Sequence, residues 1–239
     1  MPFVILLKKH EKQSLFVKFA SVSFINMRKF IFILIIIFAT TGLKAQVDKK
    51  AQTLLNELSV KYKKYKSIKA QFAYTLESKA NKVKQTQKGV LHLKGNKFKV
   101  EVASKEIICD SKTVWTYSAS ENEVQINNYN PNENGFNPAQ IFTMYEKGFI
   151  YKYVEEKLEN GKTIAQIELT PTDKNKKFFK VKLFIDKIGK QIVRSCVFDK
   201  NGNVYTYEVQ TFQGDVAVND NFFTFDLAKH PNCEVNDLR

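Results

Sequence analysis

The hydrophobic period changes once along the main part of the chain. Ala51, Leu54, Leu55, Leu58, Tyr62 and Tyr65 recur at spacings of three and four. That spacing predicts one amphipathic helix over about 48–66. After it the period is two. Ile68, Ala70, Phe72, Tyr74 and Leu76 alternate with Lys69, Gln71, Ala73, Thr75 and Glu77, and Phe98, Val100 and Val102 alternate with lysines and Glu101. Phe179, Val181, Leu183 and Ile185 form a third run, and Tyr205, Tyr207, Val209 and Thr211 a fourth. These patterns predict half-buried antiparallel strands, apolar on one face. Gly95-Asn96, Asn160-Gly161, Ile188-Gly189 and Asn201-Gly202 punctuate the runs where hairpins would turn. Asn137-Pro138 predicts a second helix, an N-cap followed by proline in the first turn, with Ile141, Phe142 and Tyr145 as its apolar residues.

The expected fold class is mainly β: a single curved antiparallel sheet, an unclosed barrel of about ten or eleven strands, covered by helices. Such a sheet must hide its apolar face. Two amphipathic helices that pack fully give an ordinary core. The same helices held above the sheet as a lid give an apolar cavity. Periodicity does not choose between these.

The N-terminus belongs to a different organisation. Met27-Arg28-Lys29 is followed by nine apolar residues, Phe30 to Phe38, and then by Ala39-Thr40-Thr41-Gly42-Leu43-Lys44-Ala45-Gln46. A basic start, a short apolar stretch and a small residue before a polar sequence read as a secretory signal. Nine residues rise about 14 Å as a helix, whereas a membrane span needs about 20 residues. An anchor that also used Leu15 to Ile25 would be interrupted by Arg28 and Lys29. The expected division is therefore 1–26 as an over-long start, 27–45 as signal peptide, and 46–239 as one domain. No cysteine stands at the start of that domain to take a lipid anchor.

Charge and chemistry then narrow the function. The full chain of 239 residues carries +14, and residues 46–239 carry +8, with Arg194 and Arg239 their only arginines. Nucleic-acid readers favour arginine for bidentate contacts. Lysines that alternate with apolar strand residues instead describe a solvated face, so no nucleic-acid partner is expected. His92 lies in a strand pattern and His230 precedes Pro231, with no metal-binding spacing between them. The sequence has no nucleophile elbow, phosphate loop or dinucleotide fingerprint. No catalytic residue, metal or cofactor is expected. Cys109, Cys196 and Cys233 leave two arrangements open: one disulfide with one thiol, or three thiols.

Cys109-Asp110-Ser111-Lys112-Thr113-Val114-Trp115-Thr116-Tyr117 resembles the D-G-K-T-[LV]-W-x-Y segment of the periplasmic outer-membrane lipoprotein carrier (LolA-like) family. Other landmarks follow in the family's order. They are the helix from Ala51, Ala70-Gln71-Phe72, Gly89-Val90-Leu91-His92-Leu93-Lys94, Asn137-Pro138, Leu169-Thr170-Pro171, Leu183-Phe184-Ile185-Asp186 and Phe223-Thr224-Phe225-Asp226. The resemblance covers about 51–239.

It implies a monomeric periplasmic carrier, a chaperone for lipoproteins that shields their acyl chains in a hydrophobic cavity. The partners would be an inner-membrane lipoprotein-releasing transporter and an outer-membrane acceptor. By matching position, the cavity would include Phe98, Val100 and Ile107. The lid would use Leu58 and Tyr62 on the first helix, with Ile141 and Phe142 on the second. One departure stands out. Many family members carry Arg-Pro after the lysine matching Lys94, and that arginine helps latch the lid; here Gly95-Asn96 follows. The alternatives are a lipophile-binding or scaffold module of the same fold, and a secreted hydrolase.

The signal reading predicts Gln46 as the mature N-terminus, to be read by N-terminal sequencing of the exported protein. A chain that starts at Met1, or that stays with membranes after a salt wash, would contradict it.

Overall fold

The computed structural model describes residues 48–78, 80–131 and 141–239. The signal segment and Asn137-Pro138 lie outside the described residues. Helix α1 (Lys49–Tyr62) starts at Asp48, whose Oδ1 accepts a hydrogen bond from Ala51 N at 3.1 Å. Its other carboxylate oxygen accepts from Tyr153 N at 2.7 Å. The same side chain thus caps the helix and ties it to a strand 105 residues away. These two bonds hold the Asp48 carboxyl below its usual pKa. The helix ends earlier than the expected 66. Tyr62 is held in place, its hydroxyl accepting from Ile192 N at 2.8 Å. Tyr65 has left the helix and lies over Gly214, where any Cβ would collide with its ring.

The strands are β1 (Ile68–Ser78), β2 (Val83–Lys94), β3 (Lys97–Val102), β4 (Lys105–Cys109), β5 (Thr113–Ser118) and β6 (Glu123–Asn128). They continue as β7 (Phe149–Glu159), β8 (Lys162–Pro171), β9 (Phe178–Asp186), β10 (Gln191–Asp199), β11 (Asn203–Gly214) and β12 (Glu234–Asp237). They form one sheet in the order β12-β6-β5-β4-β3-β2-β1-β11-β10-β9-β8-β7. The edges β12 and β7 do not pair, so the sheet is unclosed. It has twelve strands rather than ten or eleven, and it is not wholly antiparallel. The extra strand, β12, comes from the C-terminal tail and runs parallel to β6. All four expected turns occur. At Asn160-Gly161 both residues have positive φ (50° and 76°), the backbone that a two-residue hairpin needs.

Of the bulges in the sheet, two change the facing of residues in the alternating runs. On β11, Val209 pairs with Phe72 and Thr211 with Gln71, so Gln210 is extra. Beyond it Phe212, not Thr211, packs against the core. On β9, Lys180 pairs with Phe198 and Phe178 with Asp199, so Phe179 is squeezed out. Phe178 is buried in consequence and Phe179 is 50% exposed, the reverse of the simple alternation.

One core lies on the inner face of the sheet. Phe98, Val100 and Cys109 on one side of β1 join Ile167, Val181 and Leu183 on the other side in a single cluster. The sheet therefore curls around its core. Among the described residues two pieces of chain cover it. The first is α1, through Ala51, Leu54, Leu55, Leu58 and Tyr62. The second is the described end of the β6–β7 connection, where Ile141, Phe142 and Tyr145 are buried. This second piece differs from the expected helix. Residues 141–143 form a turn, and Met144–Glu146 a single turn of 3-10 helix. It is tied to α1 by the Ser59 hydroxyl donating to Glu146 and by Lys63 pairing with Glu146 at 3.0 Å.

A second, smaller apolar patch lies on the outer face. Ile108, Tyr117, Val124 and Phe223 are buried but separate from the main cluster. The C-terminal segment covers this patch. Phe222 packs on His92, and Phe225 and His230 pack on Tyr117. Lys94 and Lys97 both bind Asp220 of that segment, at 2.7 and 2.8 Å, and together they lower its pKa to about 2.

Candidate functional site

The inner face is not covered evenly along its strands. Where β1 begins, Ile68, Ala70 and Phe72 are buried beneath α1 and residues 141–145. Where β1 ends, Tyr74 and Leu76 are half-buried. The difference is one of reach. Among the described residues the cover is a 14-residue helix and a short turn, and α1 is held toward the beginning of β1. Lys61 Nζ donates to Gly189 O at 2.7 Å, and Lys190 pairs with Glu57 at 3.2 Å, both at the β9–β10 turn.

Beyond the cover lies an open pocket of about 600 Å³. That volume falls within the usual range for small-molecule sites. Tyr74, Phe178, Val197, Tyr205 and Tyr207 form its apolar and aromatic wall. Tyr74 stacks on Tyr205 at 6.3 Å between centroids and tilts against Tyr207 at 5.2 Å. Lys176, Lys177 and Lys200 stand at its rim. The wall also holds Asp199, a carboxylate already saturated with donors. It accepts from Asn201 N (2.9 Å), Asn203 N (2.7 Å), Asn203 Nδ2 (2.9 Å) and Tyr205 Oη (3.2 Å). Burial works to raise the pKa of Asp199, but these bonds outweigh it and hold the pKa below the usual value. The carboxylate thus organises the β10–β11 turn, and the rim is left basic.

Deeper along the same face is a small apolar cavity of about 10 Å³. It has room for about one water-sized sphere. Ala70, Phe72, Leu91 and Val209 form its floor, Ile141 and Phe142 its roof, and Tyr207 its side toward the open pocket. Phe72 fits its floor position because β2 has Gly89 there. A Cβ at Gly89 would come within 2.5 Å of the Phe72 ring.

The residues picked out by resemblance all lie on the inner face. Leu58, Tyr62, Phe98, Val100, Ile141 and Phe142 belong to the main cluster, and Ile107, opposite Val100, packs against it. Of these seven, Ile141 and Phe142 line the small cavity. The other five appear in neither cavity's lining and are packed among core side chains. Phe142 is 1% exposed, with its ring centroid 4.9 Å from that of Tyr62 and 5.6 Å from that of Phe212. It does not sit on an α-helix above a void. Of the open-pocket residues, Tyr74, Tyr205 and Tyr207 fall on the alternating apolar runs, whereas Phe178 and Val197 carry no such signal, and none of the five belongs to the site expected from the family resemblance.

Elsewhere the chemistry is sparse. His92 packs against Phe222, and burial lowers its pKa. The three cysteines are free thiols, and burial pushes Cys109 up to about 11. Among the described residues no group of His, Cys, Asp and Glu is arranged to hold a metal ion. Among them, too, no helix is long and apolar enough to cross a membrane.

Comparison with known proteins gives one family. The family model described as outer membrane lipoprotein carrier protein LolA matches residues 63–226. No curated protein sequence matches the chain. Among solved structures, an uncharacterized conserved protein from Thermus thermophilus has a similar fold. Its TM-score is 0.51 at 14% identity, over 79% of this chain and 99% of that one. A putative outer membrane lipoprotein-sorting protein domain from Vibrio parahaemolyticus aligns with a TM-score of 0.43 at 13% identity, over 74% and 97% of the two chains. A LolA superfamily protein from Nitrosomonas europaea gives 0.42 at 13%, over 74% and 98%.

Because Phe142 is buried against Tyr62 and Phe212, Phe142→Ala is expected to cost about 3–5 kcal/mol of unfolding free energy. Denaturant unfolding followed by circular dichroism measures this. A loss below about 1 kcal/mol, close to the range of a surface substitution, would show that residues 141–145 do not pack as a core.

Proposed function

We propose that this chain, which belongs to the LolA family of outer membrane lipoprotein carrier proteins, is a periplasmic carrier that shields lipoprotein acyl chains on the inner face of its sheet. The open aromatic pocket of about 600 Å³ supports this reading most strongly. Its inner wall is aromatic and apolar and adjoins the core cluster, while Asn175, Lys176, Lys177, Asp199, Lys200 and Asn201 line the rest of it. An acyl chain in water is costly: each methylene buried is worth about 0.8 kcal/mol. A carrier has to recover most of that and still release its cargo. A preformed open pocket beside a movable cover provides for both. In this reading residues 141–145 and α1 are the lid. Leu58, Tyr62, Phe98, Val100, Ile107, Ile141 and Phe142 would contact acyl chains once it lifts.

The partners in this role are an inner-membrane transporter that releases lipoproteins and an outer-membrane acceptor. A second reading is a lipophile-binding module of the same fold that ferries no lipoprotein. It draws on Lys94, the residue before the missing latch arginine. Lys94 is engaged by Asp220 and by Val218 O (3.1 Å) of the C-terminal segment rather than by the cover.

Two measurements together test the proposal: native mass spectrometry of protein recovered from its own periplasm, and lipoprotein release from inner-membrane vesicles. The carrier reading expects bound acylated protein and release that depends on added carrier. Free lipid without release would favour the second reading. Neither ligand nor release would overturn both.

A further inference from the structure

The open pocket and the small cavity lie in line along the same face, and one side chain belongs to both. Tyr207 is part of the pocket wall and also the side of the cavity beneath Ile141 and Phe142. It is 7% exposed and is wedged between Tyr74 at 5.2 Å and Phe72 at 6.0 Å, ring centroid to centroid. Past it the face remains apolar, with Phe72, Ala70 and Val209 continuing the floor. We propose that Tyr207 is the end wall of the binding pocket and sets how long an acyl chain the pocket accepts. The inference rests on the acyl-chain reading of the inner face and adds a specificity-determining residue to it.

A single chain that enters past the lysine rim would lie along Val197, Tyr205 and Tyr74 and meet the Tyr207 ring end-on. The cavity behind that ring is too small to take more of the chain while the ring is in place. While the cover is closed, its roof is held by the packing of Phe142 against Tyr62 and Phe212. In that closed state the length of tail that can be buried is decided at Tyr207. Removal of the ring would join the two spaces along an apolar floor without disturbing the rim.

Saturated fatty acids of increasing length, from laurate to arachidate, serve as single-chain probes with an anionic head suited to the rim. Affinity is read by displacement of an environment-sensitive dye. In the unaltered protein each added methylene should tighten binding about fourfold, equivalent to about 0.8 kcal/mol, until the tail reaches Tyr207. Beyond that length the gain should stop. Tyr207→Ala and Tyr207→Leu should move the stopping point at least two methylenes longer, which makes the longer chains bind roughly fifteen-fold tighter relative to the shorter ones. Tyr207→Trp should move it shorter. The leucine and tryptophan variants keep a large apolar group in place, so the test stands even if the alanine variant folds poorly. A loss of affinity at all lengths with an unchanged stopping point would show a merely structural role and overturn the proposal. A stopping point shared by every folded variant would do the same. An unaltered protein that binds no fatty acid of any length would overturn the acyl-chain reading itself, an outcome distinct from binding without a length limit at Tyr207.

Discussion

A twelve-stranded sheet with an apolar inner face imposes a covering problem, and among the described residues little chain covers it. One helix of 14 residues and a short turned segment lie over the main cluster. Both are tied down toward the beginning of β1. Asp48 joins the start of α1 to β7, Tyr62 joins its end to β10, and Glu146 joins the crossing segment to α1. The other end of the same face opens, among the described residues, into a pocket where Tyr74 and Tyr205 are half-buried against the buried Phe178, Val197 and Tyr207. Burial of that surface would be favourable at about 25 cal/mol per Å². Its being left open is the feature that a ligand would answer.

The covered half behaves as a core. Leu58 is fully buried and Phe142 nearly so, and the cavity between cover and floor holds about one water-sized sphere. The cover is nevertheless held at its margins by polar contacts, several of them partly exposed: Lys63–Glu146, Lys190–Glu57 and Lys50–Glu156. Exposed ion pairs of this kind are individually weak. Any motion of the cover would be opposed chiefly by the apolar contacts of Leu58, Tyr62 and Phe142. The C-terminal segment is a separate matter. It seals the outer face of β4–β6 and contributes no residue to the inner core cluster.

Much of this architecture is legible in the sequence. The period of three and four marks α1, the period of two marks the strands, and the Asn-Gly pairs mark hairpins, because backbone geometry and burial act on neighbouring residues. Three things are not legible. Bulges at Gln210 and Phe179 invert the facing of the residues beyond them, and they are set by pairing with distant strands. Strand β12 follows a tail with no clear alternation and is defined by its partner β6. The site is legible only as a face. Alternation places Tyr205 and Tyr207 on the apolar side, but how far α1 and residues 141–145 extend over that side depends on tertiary contacts. The family pattern points to side chains packed in the core, such as Phe98 and Val100, and passes over the half-buried Tyr74 and Tyr205 of the pocket wall.

If apolar ligand lies on the inner face at its open end, a photoreactive tail should mark that end. Photo-crosslinking with a fatty acid that carries a diazirine in mid-chain, followed by mass-spectrometric mapping of the labelled residues, locates it. Label is expected on Tyr74, Val197, Tyr205 and Tyr207. Label confined to the outer face, at exposed apolar residues such as Phe179, would contradict a ligand site on the inner face.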